Sequence, residues 1–201
     1  MIKNIIFDFG DVFINLDKSA VPTGIISYEK SPEDPTLSTL AERYEKGMIT
    51  SDEFIATAST ILGEDNPNHI IDLWNSMITD FPEERLEFIE NLKAVKSHRL
   101  FLLSNTNALH IKYVEEIMGK SKYQRFRNCF EGFYLSHEMG MRKPEVEIFK
   151  FMLNTHGLEA KETLFIDDTL EHILSAGTLG INTWHLQVGQ ETVQKLLERL
   201  K

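Results

Sequence analysis

The chain has a single cysteine, Cys129. No internal disulfide can form, so a reducing compartment is expected. A lone thiol in an apolar context is read as a half-buried packing residue rather than a nucleophile. Apolar runs of membrane-spanning length are absent. The apolar N-terminal stretch meets Asp8 too early to be a signal peptide, so a cytoplasmic protein without a membrane partner is expected. Basic residues are also scarce: 21 Lys and Arg stand against 31 Asp and Glu, a net charge of −10. With no basic block to offset that charge, nucleic acid is not an expected partner. A small anion is still admissible, because a local Lys and Arg cluster can reverse the field. Repeats and low-complexity segments are missing, and the histidines show no close ligand spacing, which argues against zinc.

What is present is an alternating pattern. Ile5-Ile6-Phe7-Asp8-Phe9-Gly10-Asp11 is an apolar run ending in an acid and a Gly/Asp turn, the pattern of a strand buried on both faces. The strand signal then disappears until about Asp80. Pro22, Pro32 and Pro35 break the segment 21–36. Leu37, Leu40, Ala41 and Tyr44 fall at helical spacing, with Gly47 as a C-cap. Thr50 or Ser51 can cap the next helix, with Glu53 close behind, and that helix carries Phe54, Ala58 and Leu62; Ile70, Ile71 and Trp74 lie on another. Residues 17–80 therefore read as an all-helical unit inserted after the first strand. Beyond Pro82, helices alternate with short strands at Arg99–Leu103, Phe133–Leu135, Thr163–Ile166 and Ile181–Leu186. That alternation predicts an α/β protein, a parallel sheet with helices on both faces, formed by residues 1–16 and 81–201. A chain of 201 residues accommodates one such core and the insertion.

Parallel strands point the same way, so Asp8, Ser104, Lys143 and the pair Asp167/Asp168 can meet at one sheet edge. Carboxylates with few nitrogen ligands favour a hard, oxygen-loving cation such as Mg²⁺. A hydroxyl, backbone N–H groups and a lysine would hold phosphate oxygens. Together these groups suit transfer of a phosphoryl group onto an aspartate. Adjacent Asp167 and Asp168 repel each other after a buried strand, which costs stability unless a cation is present.

Asp8-Phe9-Gly10-Asp11, Leu103-Ser104-Asn105-Thr106, Met141-Arg142-Lys143-Pro144 and Ile166-Asp167-Asp168 resemble, in order, the four motifs of haloacid dehalogenase-like (HAD) hydrolases. The likeness is greatest to the branch with bacterial sugar-1-phosphate phosphatases and the N-terminal phosphatase domain of epoxide hydrolases. Glu45-Lys46-Gly47-Met48-Ile49-Thr50 is similar to part of that branch's helical cap. The resemblance implies a Rossmann-like core with a cap over residues 17–80, and a Mg²⁺-dependent phosphatase acting on a small phosphorylated metabolite, such as a sugar phosphate. It implies Asp8 as nucleophile and metal ligand, the carbonyl of Gly10 and the carboxylate of Asp168 as further ligands, and Asp167 as a ligand through water. Ser104 and the N–H of Asn105 would hold phosphate, and Lys143 would balance charge. A monomer or weak homodimer is expected.

One departure stands out. Many phosphatases of this kind have a second aspartate two residues after the nucleophile, as general acid and base, where this chain has Gly10. General acid–base help contributes roughly 10²–10⁴-fold, so a slow enzyme or a good leaving group is expected. Asp11 is read as a turn residue rather than a replacement acid, His172 as either supporting the site from behind the ligands or lying on a helix face, the latter favoured, and Arg142 as either a phosphate contact or a solvated surface residue. Ser104 and Asn105 could also cap the helix that follows them. Trp74 and Tyr44 are read as core. Two rival functions remain: a 2-haloacid dehalogenase using the same aspartate without metal, and a catalytically weak phosphate-binding protein on the same fold.

Overall fold

The computed structural model describes residues 1–200. In chain order the elements are β1 (Asn4–Phe7), α1 (Ala20–Ser27), α2 (Pro35–Glu45), α3 (Ser51–Leu62), α4 (Pro67–Asn75), α5 (Glu83–Val95), β2 (Arg99–Ser104), α6 (Ala108–Met118) and α7 (Lys120–Arg127). They continue with β3 (Gly132–Leu135), α8 (Ser136–Met139), α9 (Val146–His156), β4 (Thr163–Asp167), α10 (Leu170–Gly177), β5 (Asn182–His185) and α11 (Leu196–Arg199). The strands form one parallel sheet in the order β3-β2-β1-β4-β5. This is a Rossmann-like arrangement, as expected from the alternation.

The sheet is buried on both faces because successive side chains of a strand point to opposite sides. Ile5 and Phe7, Leu100 and Leu102, and Leu164 and Ile166 enter one core; Ile6, Phe101, Leu103 and Phe165 enter the other. The first core is rich in rings. Phe126, on a helix the periodicity did not predict, lies 5.0 Å from each of Phe13, Phe81 and Phe130. Cys129 is buried there, its thiol donates to the Arg125 carbonyl at 3.3 Å, and burial pushes the thiol pKa up to about 11. It is a packing residue, more deeply buried than expected.

The helices α1 to α4 surround a third apolar cluster of Ile25, Leu40, Tyr44, Phe54, Ala58, Leu62 and Ile70. Tyr44 stacks on Phe54 with ring centroids 4.4 Å apart. The predicted capping box is present: Thr50 Oγ1 accepts from the N–H of Glu53, and the Glu53 carboxylate accepts from the N–H of Thr50. The chain enters and leaves this unit through two antiparallel segments. Asn15 N–H donates to the Asp80 carbonyl at 2.8 Å, Asp17 N–H to Met77 at 2.8 Å, and Thr79 N–H to Asn15 at 3.1 Å. Lys201, the last residue of the expected core segment, falls outside the described residues. Among the described residues, no helix is long and apolar enough to cross a membrane.

Candidate active site

The strand order decides which residues can meet. After β1 the chain builds β2 and β3 on one side, then crosses to β4 on the other. A crevice therefore opens at the carboxyl ends of the central strands, where open α/β sheets bind ligands. Asp8 follows β1 and is tied to its neighbour by Asp8 N–H donating to the Ile166 carbonyl at 2.9 Å. Asp167 ends β4, with Asp168 next, and Ser104 ends β2. Lys143 arrives from the loop before α9, and its ammonium is fully buried between two of these acids. It lies 2.5 Å from Asp8 Oδ1 and 2.7 Å from Asp167 Oδ2.

The Lys143 backbone is held by one side chain. Asn105 Nδ2 donates to the Lys143 carbonyl at 2.8 Å, and Asn105 Oδ1 accepts from the Lys143 N–H at 2.9 Å. The sequence pointed to the backbone N–H of Asn105; this positioning by its side chain was not foreseen. The helix-capping alternative for Ser104 and Asn105 is corrected: the cap of α6 is Asn107, whose side chain accepts from the N–H of His110 at 3.0 Å. Ser104 Oγ makes only a long 3.4 Å contact with the Asn105 carbonyl, so its hydroxyl is available to a ligand.

Asp167 is fully buried and accepts from the Thr169 N–H at 2.8 Å and from His172 Nδ1 at 3.0 Å. His172 thus holds Asp167 from α10, the less favoured of the two readings the sequence offered for it. The first turn of a helix following a strand end carries it back over that end, a proximity that spacing alone does not reveal. Asp168 faces Lys18 Nζ at 2.5 Å, and the same ammonium lies 2.8 Å from Asp11 Oδ2. Asp11 Oδ1 accepts from the Leu16 N–H at 3.1 Å, and Asp11 has φ of 54°. It serves the turn, as read, and also holds Lys18, which the sequence did not single out. Arg142 is not a solvated surface residue: its Nη2 lies 3.0 Å from Glu45 Oε2, at the end of α2.

At Gly10 a side chain would collide with Leu16. A Cβ built there lies 2.8 Å from Leu16 Cδ1 and 3.8 Å from Asp8 Oδ2. The terminal methyl of Leu16 would therefore have to swing aside for a side chain two residues after Asp8. The Gly10 carbonyl accepts from the Val12 N–H at 2.6 Å, and its second lone pair is left for a ligand.

The electrostatics carry an uncompensated charge. Burial raises the Asp8 pKa against the pull of Lys143, and the neighbouring Asp167 adds to the rise. Burial would raise Asp167 too, but Lys143 and His172 outweigh it and hold this carboxyl well below the usual range. One lysine keeps one of its two acids firmly ionised, and the other bears the cost of crowding. Across the site, the four acids Asp8, Asp11, Asp167 and Asp168 face the two ammoniums of Lys18 and Lys143. The surplus of two negative charges matches a divalent cation. Oxygens of Asp8, Asp167 and Asp168 lie within 4.8 Å of one another, and an all-oxygen donor set suits Mg²⁺.

The profile of haloacid dehalogenase-like hydrolases matches residues 2–180. The chain belongs to this family. D-ribitol-5-phosphate phosphatase from Bacteroides thetaiotaomicron is 28% identical, covering 98% of this chain and 97% of that protein. Glyceraldehyde 3-phosphate phosphatase from Methanocaldococcus jannaschii is 27% identical, over 94% of this chain and 87% of that protein. A HAD family enzyme of Bacteroides thetaiotaomicron, whose crystal structure is a complex with magnesium and inorganic phosphate, superposes with a TM-score of 0.83. It is 34% identical and covers 95% of this chain and 97% of its own. Family membership makes the crevice around Asp8 the place to seek hydrolase chemistry.

Proposed function

We propose that the protein is a Mg²⁺-dependent phosphatase that hydrolyses a small phosphomonoester, such as a sugar phosphate, through an aspartyl-phosphate on Asp8. The observation that carries this reading is the buried Lys143 ammonium spanning Asp8 and Asp167, with Asp168 adjoining. The full-length likeness to two phosphatases, and to an enzyme bound to magnesium and phosphate, supports it.

In this mechanism the phosphate seats against Lys143, the Ser104 hydroxyl and the N–H of Asn105, donors suited to phosphate oxygens. An Asp8 carboxylate oxygen attacks phosphorus in line, the bond to the ester oxygen breaks, and the alkoxide leaves with a proton taken from water. A second water then attacks the acyl phosphate, freeing inorganic phosphate and restoring the carboxylate. Mg²⁺, held by Asp8, the Gly10 carbonyl and Asp168, with Asp167 through water, would neutralise charge on the transferring group. Asn105 fixes Lys143, and His172 fixes Asp167. With glycine at position 10, leaving-group protonation has no dedicated acid beside the nucleophile, so good leaving groups should react fastest. We assign residues 1–16 and 81–201 to the core and 17–80 to a helical cap that excludes bulk water. A monomer or weak homodimer acting in the cytoplasm completes the reading.

The test is turnover of p-nitrophenyl phosphate with Mg²⁺. Activity should vanish with EDTA and in Asp8→Asn, and turnover in ¹⁸O-water should place the label in the released phosphate, because the second water attacks phosphorus, whereas label in Asp8 would mark attack on an ester carbon. Mg²⁺ binding with no turnover across a broad panel of phosphate esters would instead mark a phosphate-binding protein. Halide release from a 2-haloacid in EDTA would mark a dehalogenase.

A further inference from the structure

We propose that the helical insertion holds a binding site of its own, for a small neutral molecule that is apolar apart from one hydrogen-bond acceptor, such as a cyclic ketone. This goes beyond the phosphatase reading and does not depend on it. The site is a cavity of about 190 Å³ between α1, α2, α3 and α4. Ile25, Leu37, Leu40, Phe54, Ile70 and Trp74 line it, and no charged side chain does. The crevice cavity beside Gly10, Ser104 and Asn105 shares no lining residue with it.

The local sequence explains why the space is there. Helix α1 is drawn against α4 at Gly24, where a Cβ would come within 2.2 Å of Leu73 Cδ1. Small residues, Ala41 on α2 and Ala58 on α3, stand in the walls where larger side chains would close the gap. Protein interiors leave few voids larger than a water molecule, so an opening of this size among four helices calls for an occupant. Pro22 and Ser38, both exposed, mark its rim. Ser38 carries the one hydroxyl of the lining, and it donates to the Pro35 carbonyl at 3.1 Å.

Trp74 gives the cavity its chemistry. Its indole N–H is buried and has no hydrogen-bond partner, although buried polar groups are normally satisfied. Neighbouring rings hold the indole in place: Phe54 lies 4.7 Å away and His110 5.1 Å away, centroid to centroid. The Trp74 carbonyl also accepts from His110 Nε2 at 3.0 Å. Water is a poor partner for this N–H, because apolar cavities stay dry and a buried water needs two to four polar neighbours. Indole only donates, so the occupant must accept. An anionic acceptor would be buried without an opposite charge on the lining, which leaves a neutral carbonyl or ether oxygen. An apolar cavity of roughly 150 Å³ binds benzene, and on that scale this one suits about eight heavy atoms.

The experiment titrates the full chain by NMR with 4-methylcyclohexanone and with its olefin isostere, 1-methyl-4-methylenecyclohexane. Both should bind wild type, and the hydrogen bond to Trp74 should make the ketone bind about 2- to 10-fold more tightly. Trp74→Phe keeps an aromatic wall and removes the donor, so the two should then bind alike. Ala58→Leu fills the cavity and should abolish binding of both. Ala41→Leu, at another lining position, serves where that variant fails to fold. No binding to wild type, or undiminished binding in both filled variants, overturns the site. A ketone preference unchanged in Trp74→Phe overturns the acceptor assignment. Displacement of the ketone by inorganic phosphate with Mg²⁺ would put it in the crevice and likewise overturns the site.

Discussion

His110 should make the stability of this protein fall steeply below pH 6.5. The residue is buried on α6, where Nε2 donates to the Trp74 carbonyl at 3.0 Å and Nδ1 accepts from Asn107 Nδ2 at 3.2 Å. The imidazole also stacks on Trp74, with centroids 5.1 Å apart. Every neighbour suits the neutral ring. A proton on Nδ1 would face the Asn107 amide hydrogens with no acceptor. Burial accordingly lowers the pKa from 6.5 to about 4, partly opposed by the bond to Trp74. The folded state therefore binds fewer protons than the unfolded state between these values. Stability is full above the unfolded pKa and is lost as pH falls toward the folded one. At 1.36 kcal/mol per pKa unit the whole contribution is about 3 kcal/mol, of which about 2 kcal/mol is gone at pH 5. Urea unfolding followed by tryptophan fluorescence from pH 7.5 to 4.5 measures it, with His110→Gln as the non-titrating control. Wild type should lose about 2 kcal/mol more than the variant between pH 7 and pH 5. Parallel curves for the two proteins would refute the buried, neutral assignment. Because Trp74 belongs to α4 and His110 to α6, the same protonation should loosen the helical insertion from the sheet domain first.

Other parts of the site give equally direct tests. Lys18→Met removes the ammonium that competes for Asp168, so Mg²⁺ affinity measured by calorimetry should rise by about fivefold, the worth of a partly exposed ion pair of ~1 kcal/mol. Asn105→Ala cuts both hydrogen bonds that fix the Lys143 backbone. It should cost about 1–3 kcal/mol of stability by denaturant titration and reduce kcat more than it raises KM. Gly10→Asp displaces only the terminal methyl of the partly buried Leu16 and should cost no more than about 1 kcal/mol. Leu16→Ala on that background should recover stability and speed hydrolysis of esters with poor leaving groups.

Much of this was legible in the sequence because the relevant patterns are local. Strands buried on both faces must be continuous apolar runs, and an acid ending such a run must sit at the sheet edge. Hence Asp8, Ser104 and Asp167 could be assigned to one edge before any coordinates. Thr50 with Glu53, and Gly47 beyond α2, are likewise cap signals spelled within a few residues. The helix α7 escaped because its buried residues, Tyr123 and Phe126, are too few among charged neighbours to set a period. Its apolar face is small, and the ring cluster around Phe126 stabilises it from outside.

By itself, the chain's order of residues determined the parallel sheet, the inserted helices and the four polar strand ends, since periodicity and turn chemistry act over a handful of positions. Only the tertiary structure decided that Lys18 reaches Asp168, that His172 holds Asp167, that the end of Leu16 lies over Gly10, and that Arg142 meets Glu45. Each of these pairings depends on the angle at which one packed element meets another. That angle is set by the sum of many apolar contacts across two cores, and no short stretch of sequence encodes it.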